Sequence, residues 1–155
     1  VSIAYTPRDV ERHPRDRYAR VAVDRVTLVA DRGIEGDAKA NGGKRQLNVM
    51  FAETVVRLAG EGLATKPGEL GEQLVIAGLN ELTLGPGARI WIGASAVLEL
   101  GKLRTPCERF AHIQNTPIEQ VIGRIGYMAR VLEGGEIAVG SPVEVEKVAS
   151  PVPSP

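Results

Sequence analysis

Apolar residues recur in short alternating runs along most of the chain. Val21 and Val23, followed by Val26, Leu28 and Ala30, put every second side chain on one face, with a slip near Asp24 and Arg25 of the kind a β-bulge produces. The pattern returns at 74–76, 89–92, 96–100, 127–132, 136–139 and 143–148, each run bounded by Gly, Pro or Asn. Short strands at this spacing predict a barrel or a sandwich. Between two of them, the E-G-G-E step at 133–136 predicts a tight hairpin, because glycine accepts the positive φ of primed turns.

Two stretches predict helices instead. The first runs from Val49 to Leu58, carries Val55, Val56, Leu58 and Ala59, and is ended by Gly60 and Gly62. The second, from Thr116 to Ile125, opens on a T-P-x-E capping box in which Thr116 and Glu119 would each satisfy a backbone N–H, with Pro117 at the first helical position. Ile118, Val121, Ile122 and Ile125 would then share an apolar face. Residues 1–18 mix charges with Pro7 and Pro14 and form a leader or an edge segment. Residues 149–155 are a Pro/Ser-rich tail, leaving 19–148 as the domain. The expected fold is mainly β, a largely antiparallel barrel with a few short helices laid against it.

Composition narrows the functional classes. A length of 155 residues suits one domain and leaves no room for a second catalytic one. Nineteen Lys+Arg balance nineteen Asp+Glu, so no net field draws the chain to nucleic acid or to anionic lipid. No apolar run approaches the ~20 residues of a membrane helix, and the N-terminal residues lack a signal peptide's apolar stretch, so a cytoplasmic location is expected. One cysteine, Cys107, with His13 and His112, cannot build a Cys-rich structural zinc site or an internal disulfide.

Cys107 lies in L-R-T-P-C-E-R at 103–109. Arg104 and Arg109, if near the sulfur, would favour the thiolate, the nucleophilic and metal-binding form, whereas by spacing alone a lone cysteine is more often a small buried hydrophobe. His112, five residues on, has the spacing of a base towards it only if the fold brings the two together. G-I-E-G-D-A-K at 33–39 leads into N-G-G-K-R-Q at 41–46, where Lys39, Lys44 and Arg45 beside open backbone could hold a phosphate or merely form a solvated turn. Neither a P-loop frame nor a dinucleotide fingerprint is present. Glu69 and Glu72 could form an acid–base pair, although Gly68 and Gly71 argue against a helix that would align them. Ser95 lacks the G-x-S-x-G elbow and any triad order, which removes a serine hydrolase.

In this order, G-I-E-G-D at 33–37, K-R-Q at 44–46, G-E-L-G-E-Q-L at 68–74, G-A-R-I-W-I-G at 87–93, R-T-P-C at 104–107 and V-L-E-G-G-E-I-A-V-G at 131–140 resemble the MOSC family, the molybdenum cofactor sulfurase C-terminal domains. The resemblance spans nearly all of 20–146 and implies a β-barrel. Members are fused to a pyridoxal-phosphate desulfurase, form part of amidoxime-reducing proteins, or stand alone in bacteria; this chain looks like the last kind.

By resemblance, Cys107 ligates the molybdenum of a pterin cofactor at the barrel mouth, or carries sulfur. Asp37, Arg45, Gln46 and Glu72 shape the cofactor pocket, and Arg104 meets the cofactor's phosphate. Lys39 stands where G-D-x-H would place His, and Gln73 where G-E-N would place Asn; Gln73 keeps the amide and lengthens its reach. The implied activity is reduction of N-hydroxylated or N-oxygenated compounds by a molybdenum-cofactor-dependent oxidoreductase. Electrons would come from a partner protein, since no flavin or iron–sulfur signature is present. The alternative is a non-catalytic carrier of the cofactor or of a Cys107 persulfide, exchanging sulfur with a donor and an acceptor. Oligomeric state stays open.

Overall fold

The computed structural model describes residues 2–5, 21–37, 46–66, 68–106 and 108–145. Strands β1 (Ser2–Tyr5), β2 (Val21–Val23), β3 (Arg25–Val29), β4 (Gly33–Ile34) and β5 (Leu47–Phe51) precede helix α1 (Ala52–Gly60). Then come β6 (Leu74–Ile76), β7 (Arg89–Ile92), β8 (Ala96–Leu103), helix α2 (Glu108–Gln114), β9 (Tyr127–Glu133), β10 (Gly135–Ala138) and β11 (Val143–Val145). The chain is mainly β, as its alternation predicts. One large curled sheet has the order β11-β7-β8-β9-β5-β6-β1-β2, and a smaller one the order β10-β3-β4.

β5 and β6 are parallel, with Val49 opposite Leu74, whereas β9 runs antiparallel to β5 on its other side. A parallel pair cannot be closed by a hairpin, and the crossover from β5 to β6 consists of α1 and the segment 61–73. This crossover carries most of the candidate site.

The five residues of β5 serve two cores. Leu47, Val49 and Phe51 enter the main cluster with Leu74, Ile76, Leu98, Leu100, Val131 and Ile137. Met50, on the opposite face, enters a second cluster with Leu58 of α1, Leu70, Phe110 of α2, Val121 and Ile125. Side chains alternate across a strand, so a strand covered on both faces is apolar nearly throughout, and within L-N-V-M-F only Asn48 is polar.

Four local expectations need correction. Val49, placed at the start of a helix, lies in β5, and the helix begins only at Ala52. The β-branched and aromatic run pairs as a strand on both sides before the helical spacing takes over.

The capping-box helix does not form. Only Ile118–Gln120 make a single 3₁₀ turn, Pro117 provides no side-chain cap, and Thr116 Oγ1 donates to Gln114 O at 3.0 Å. Gly123 and Gly126 take φ of 75° and 81°, which a helix cannot accommodate, and Ile122 is exposed while Val121 and Ile125 are buried.

The E-G-G-E step is no hairpin either. β9 belongs to the large sheet, whereas β10 pairs with β3, placing Gly135 opposite Leu28. The glycines serve close approach: a Cβ at Gly134 would lie 2.5 Å from Leu28 O, and one at Gly135 2.2 Å from Ser95 Oγ. The presumed bulge near Asp24 is likewise a change of sheet, since β2 pairs with β1 and β3 with β10.

Candidate functional site

The site is built around the segment 68–73, which folds back over the second core before entering β6. Gly68 and Gly71 adopt φ of 87° and 78°, so the chain turns sharply twice and several main-chain N–H groups point inward. The carboxylate of Glu72 meets them, accepting from Gly68 N–H at 2.9 Å and from Leu70 N–H at 3.1 Å. Glu72 is buried, and burial pushes its carboxyl above the usual carboxylate range, against the opposing pull of those backbone donors and of the Arg104 charge. Glu69 instead accepts from Lys66 N–H. The two glutamates therefore hold separate pieces of main chain, and no paired acid–base arrangement exists.

Gln73, fully buried, joins three elements. Its Nε2 donates to Asp37 Oδ2 at 2.6 Å, its Oε1 accepts from Asn48 N–H at 2.6 Å, and its own N–H donates to Asn48 O at 2.9 Å. Asn48 Nδ2 completes the joint by donating to Gly71 O. Asp37 is wholly buried just after β4, and Gln46, also buried, accepts from Val131 N–H through its Oε1 at 2.9 Å. Asp37 and Gln46 thus pin both ends of the segment 38–45, which carries Lys39, Lys44 and Arg45.

Arg104, directly after β8, ties the same segment to another part of the chain. Its N–H donates to Gly126 O, its Nη1 to Ile125 O at 2.9 Å and its Nη2 to Leu70 O at 3.2 Å. The guanidinium lies against the bare Cα of Gly71, where a Cβ would stand 2.6 Å from Nη2. From α2, Gln114 Nε2 donates to the carbonyls of Ala64 and Glu69, and its Oε1 accepts from Ala64 N–H. Pro106 and Phe110 are buried, and His112 is exposed on the last turn of α2.

Of the predicted site residues, the structure brings Asp37 to Gln73, and Glu72 and Arg104 to the 68–73 segment. Gln46 bonds instead to β9. Cys107 and Arg45 lie outside the described residues, as do Lys39 and Lys44. Asn48 and Gln114 escaped sequence reasoning, because a polar residue inside an apolar strand and an amide on an unpredicted helix carry no local motif.

Among the described residues, no buried side-chain polar atom lacks a partner, and no group of three His, Cys, Asp or Glu could hold a metal ion. The described residues therefore form a frame. In sequence, a cysteine thiol and cationic side chains, groups suited to a metal and to a phosphate, belong to the two segments that this frame brackets. No helix among the described residues is long and apolar enough to cross a membrane.

The model of the MOSC domain matches residues 36–144 of the chain. Among solved structures, a hypothetical protein is 26% identical with a TM-score of 0.67, the match covering 81% of this chain and 63% of that one. YiiM from Escherichia coli is 24% identical with a TM-score of 0.68, covering 93% of this chain and 67% of that one. YuaD from Bacillus subtilis is 18% identical with a TM-score of 0.73, covering 94% and 96%. The last two share the fold. No curated protein matches the sequence.

Proposed function

Because the chain belongs to the MOSC domain family, we propose that it binds a molybdenum cofactor with Cys107 as metal ligand and reduces N-hydroxylated or N-oxygenated compounds. The observation that supports this reading is the double tether of the 68–73 segment. Gln73 ties it to Asp37, where the cationic segment 38–45 begins, and Leu70 ties it to Arg104, three residues before Cys107. The cations and the thiol thus start from a shared frame.

In this reading Arg45 helps to shape the cofactor pocket, where a planar guanidinium suits the cofactor's anionic groups. Cys107 offers a thiolate, the ligand form of sulfur. Asp37 holds the Gln73 amide, Gln46 holds β9 and Glu72 holds the backbone of the 68–73 segment, rather than touching the substrate. The cofactor, when bound, supplies the two-electron chemistry. A hydroxylamine takes up two electrons and two protons, its N–O bond breaks, and an amine and water leave. The electrons come from a separate protein partner.

The test is elemental analysis of wild type and Cys107→Ser purified from a host that makes the pterin cofactor, together with hydroxylamine turnover. Stoichiometric molybdenum and turnover in wild type, both lost in a folded Cys107→Ser protein, are expected. Metal-free, inactive wild type would overturn the proposal. So would a Cys107 persulfide that forms with a sulfur donor and passes to an acceptor without turnover, which would establish sulfur carriage instead.

A further inference from the structure

We propose that Arg104 is a positioning residue, a clip that fixes where the Cys107 segment leaves the fold, in place of the phosphate contact that resemblance implies for it. The inference rests on the reading of Cys107 as metal ligand, and it is carried first by the contacts of Arg104. The main chain of Arg104 is held to Gly126 O, and its guanidinium reaches Ile125 O and Leu70 O through different nitrogens. Residues 70 and 125 are far apart in sequence, yet both are fully buried in the second core cluster, so their carbonyls require a donor from within the protein. A guanidinium presents several donors in a rigid plane and can serve two carbonyls at once, whereas an ammonium is a point donor on a flexible stem.

The other end of the segment is anchored in the same place. Phe110, three residues beyond Cys107, packs into the cluster that contains Leu70 and Ile125, and Gln114 binds α2 back to Ala64 and Glu69. Cys107 is thus the midpoint of a short span pinned on both sides to one piece of core. Gly71 belongs to the device, because only a residue without a Cβ lets Nη2 approach as it does.

The test compares wild type, Arg104→Gln and Arg104→Lys by two measurements. The first is amide hydrogen exchange on the metal-free proteins, which requires no cofactor. Both variants are expected to exchange faster by about tenfold or more across 102–110 and 68–73, with β3 and β10 unchanged as internal reference. Lysine should fail to rescue because a single ammonium nitrogen on a flexible stem does not reproduce the rigid fork in which Nη1 and Nη2 each meet one carbonyl. The second is kinetics on the loaded proteins, where kcat should fall by about tenfold or more with KM and molybdenum content retained.

Exchange at the wild-type level in both variants would overturn the clip. Wild-type exchange with molybdenum lost would show instead that Arg104 contacts the cofactor. If wild type itself carries no molybdenum, the proposed function fails while the exchange measurement still decides whether Arg104 holds the segment.

Discussion

Replacing Gln73 tests whether the site's frame is held by the amide that joins Asp37 to β5. In Gln73→Leu the side chain becomes apolar and one bond shorter among its buried neighbours, and two hydrogen bonds are lost together. Asp37 Oδ2 loses the Nε2 donor at 2.6 Å, and Asn48 N–H loses the Oε1 acceptor at 2.6 Å. A buried polar group that loses one of its hydrogen bonds costs about 1–3 kcal/mol, and the two losses share one residue, so roughly 2–4 kcal/mol in total is expected. For a domain of this size that corresponds to a fall in melting temperature of about 5–15 °C. Urea unfolding with an unchanged slope, alongside a thermal melt, measures it.

Gln73→Asn should fall between wild type and the leucine variant, since an amide one methylene shorter reaches one partner but not both. Gln73→Glu keeps the length yet cannot donate to Asp37, and should lose at least as much as Gln73→Leu. A loss below about 1 kcal/mol in Gln73→Leu would refute the bridge as a source of stability.

Two further predictions concern the glycines and the buried acid. Gly126→Ala should be insoluble or strongly destabilised, because φ is 81° and the new Cβ would lie 2.0 Å from Val49 O. Gly123→Ala, at a φ of 75° with nothing within 4 Å, should lose only about 1–2 kcal/mol of conformational cost, and equal losses for the two by chemical denaturation would contradict the steric argument. For Glu72, burial favours the protonated form in the folded state, so its contribution to stability is full below the ordinary glutamate value of 4.5 and is lost as pH rises through the raised one. The melting temperature of Glu72→Gln relative to wild type should therefore rise between acid and neutral pH, and a relative fall would show that the loop N–H donors outweigh burial.

The strands were legible because their signal is local. Alternation placed 74–76 and 89–92 on the residues that pair, while 96–100 fell three residues short of the end of β8 at Leu103. What failed were segments whose conformation is imposed from elsewhere. The T-P-x-E signature is a sound helix start by itself, but Thr116 turns back to Gln114 and two glycines downstream are committed to positive φ. α2 escaped notice because E-R-F-A-H-I-Q has no strong stripe or cap, and the buried contact of Phe110 is with residues distant in sequence.

The site divides in the same way. Asp37, Gln46, Glu72 and Arg104 were nameable from motif order, yet their contacts were not. The bond between Gln73 and Asp37 spans 36 positions, and that between Arg104 and Leu70 spans 34. The longer reach of Gln73 is legible as a departure from the usual Asn. Its use, holding a carboxyl on one side and a strand N–H on the other, required the fold.

The double-faced strand β5 also has a consequence for the way the chain is made. Its neighbour β6 follows closely in sequence, but its other neighbour, β9, comes much later: Gln46 and the Val131 N–H that it caps are 85 positions apart. A ribosome adding about 5–20 residues per second leaves L-N-V-M-F waiting roughly 4–17 s for that partner. Through that interval an almost wholly apolar strand has one edge unpaired and much of both faces uncovered. Translation speed between β6 and β9, and chaperone occupancy over that stretch, should therefore govern the soluble yield of this protein more than substitutions confined to its surface.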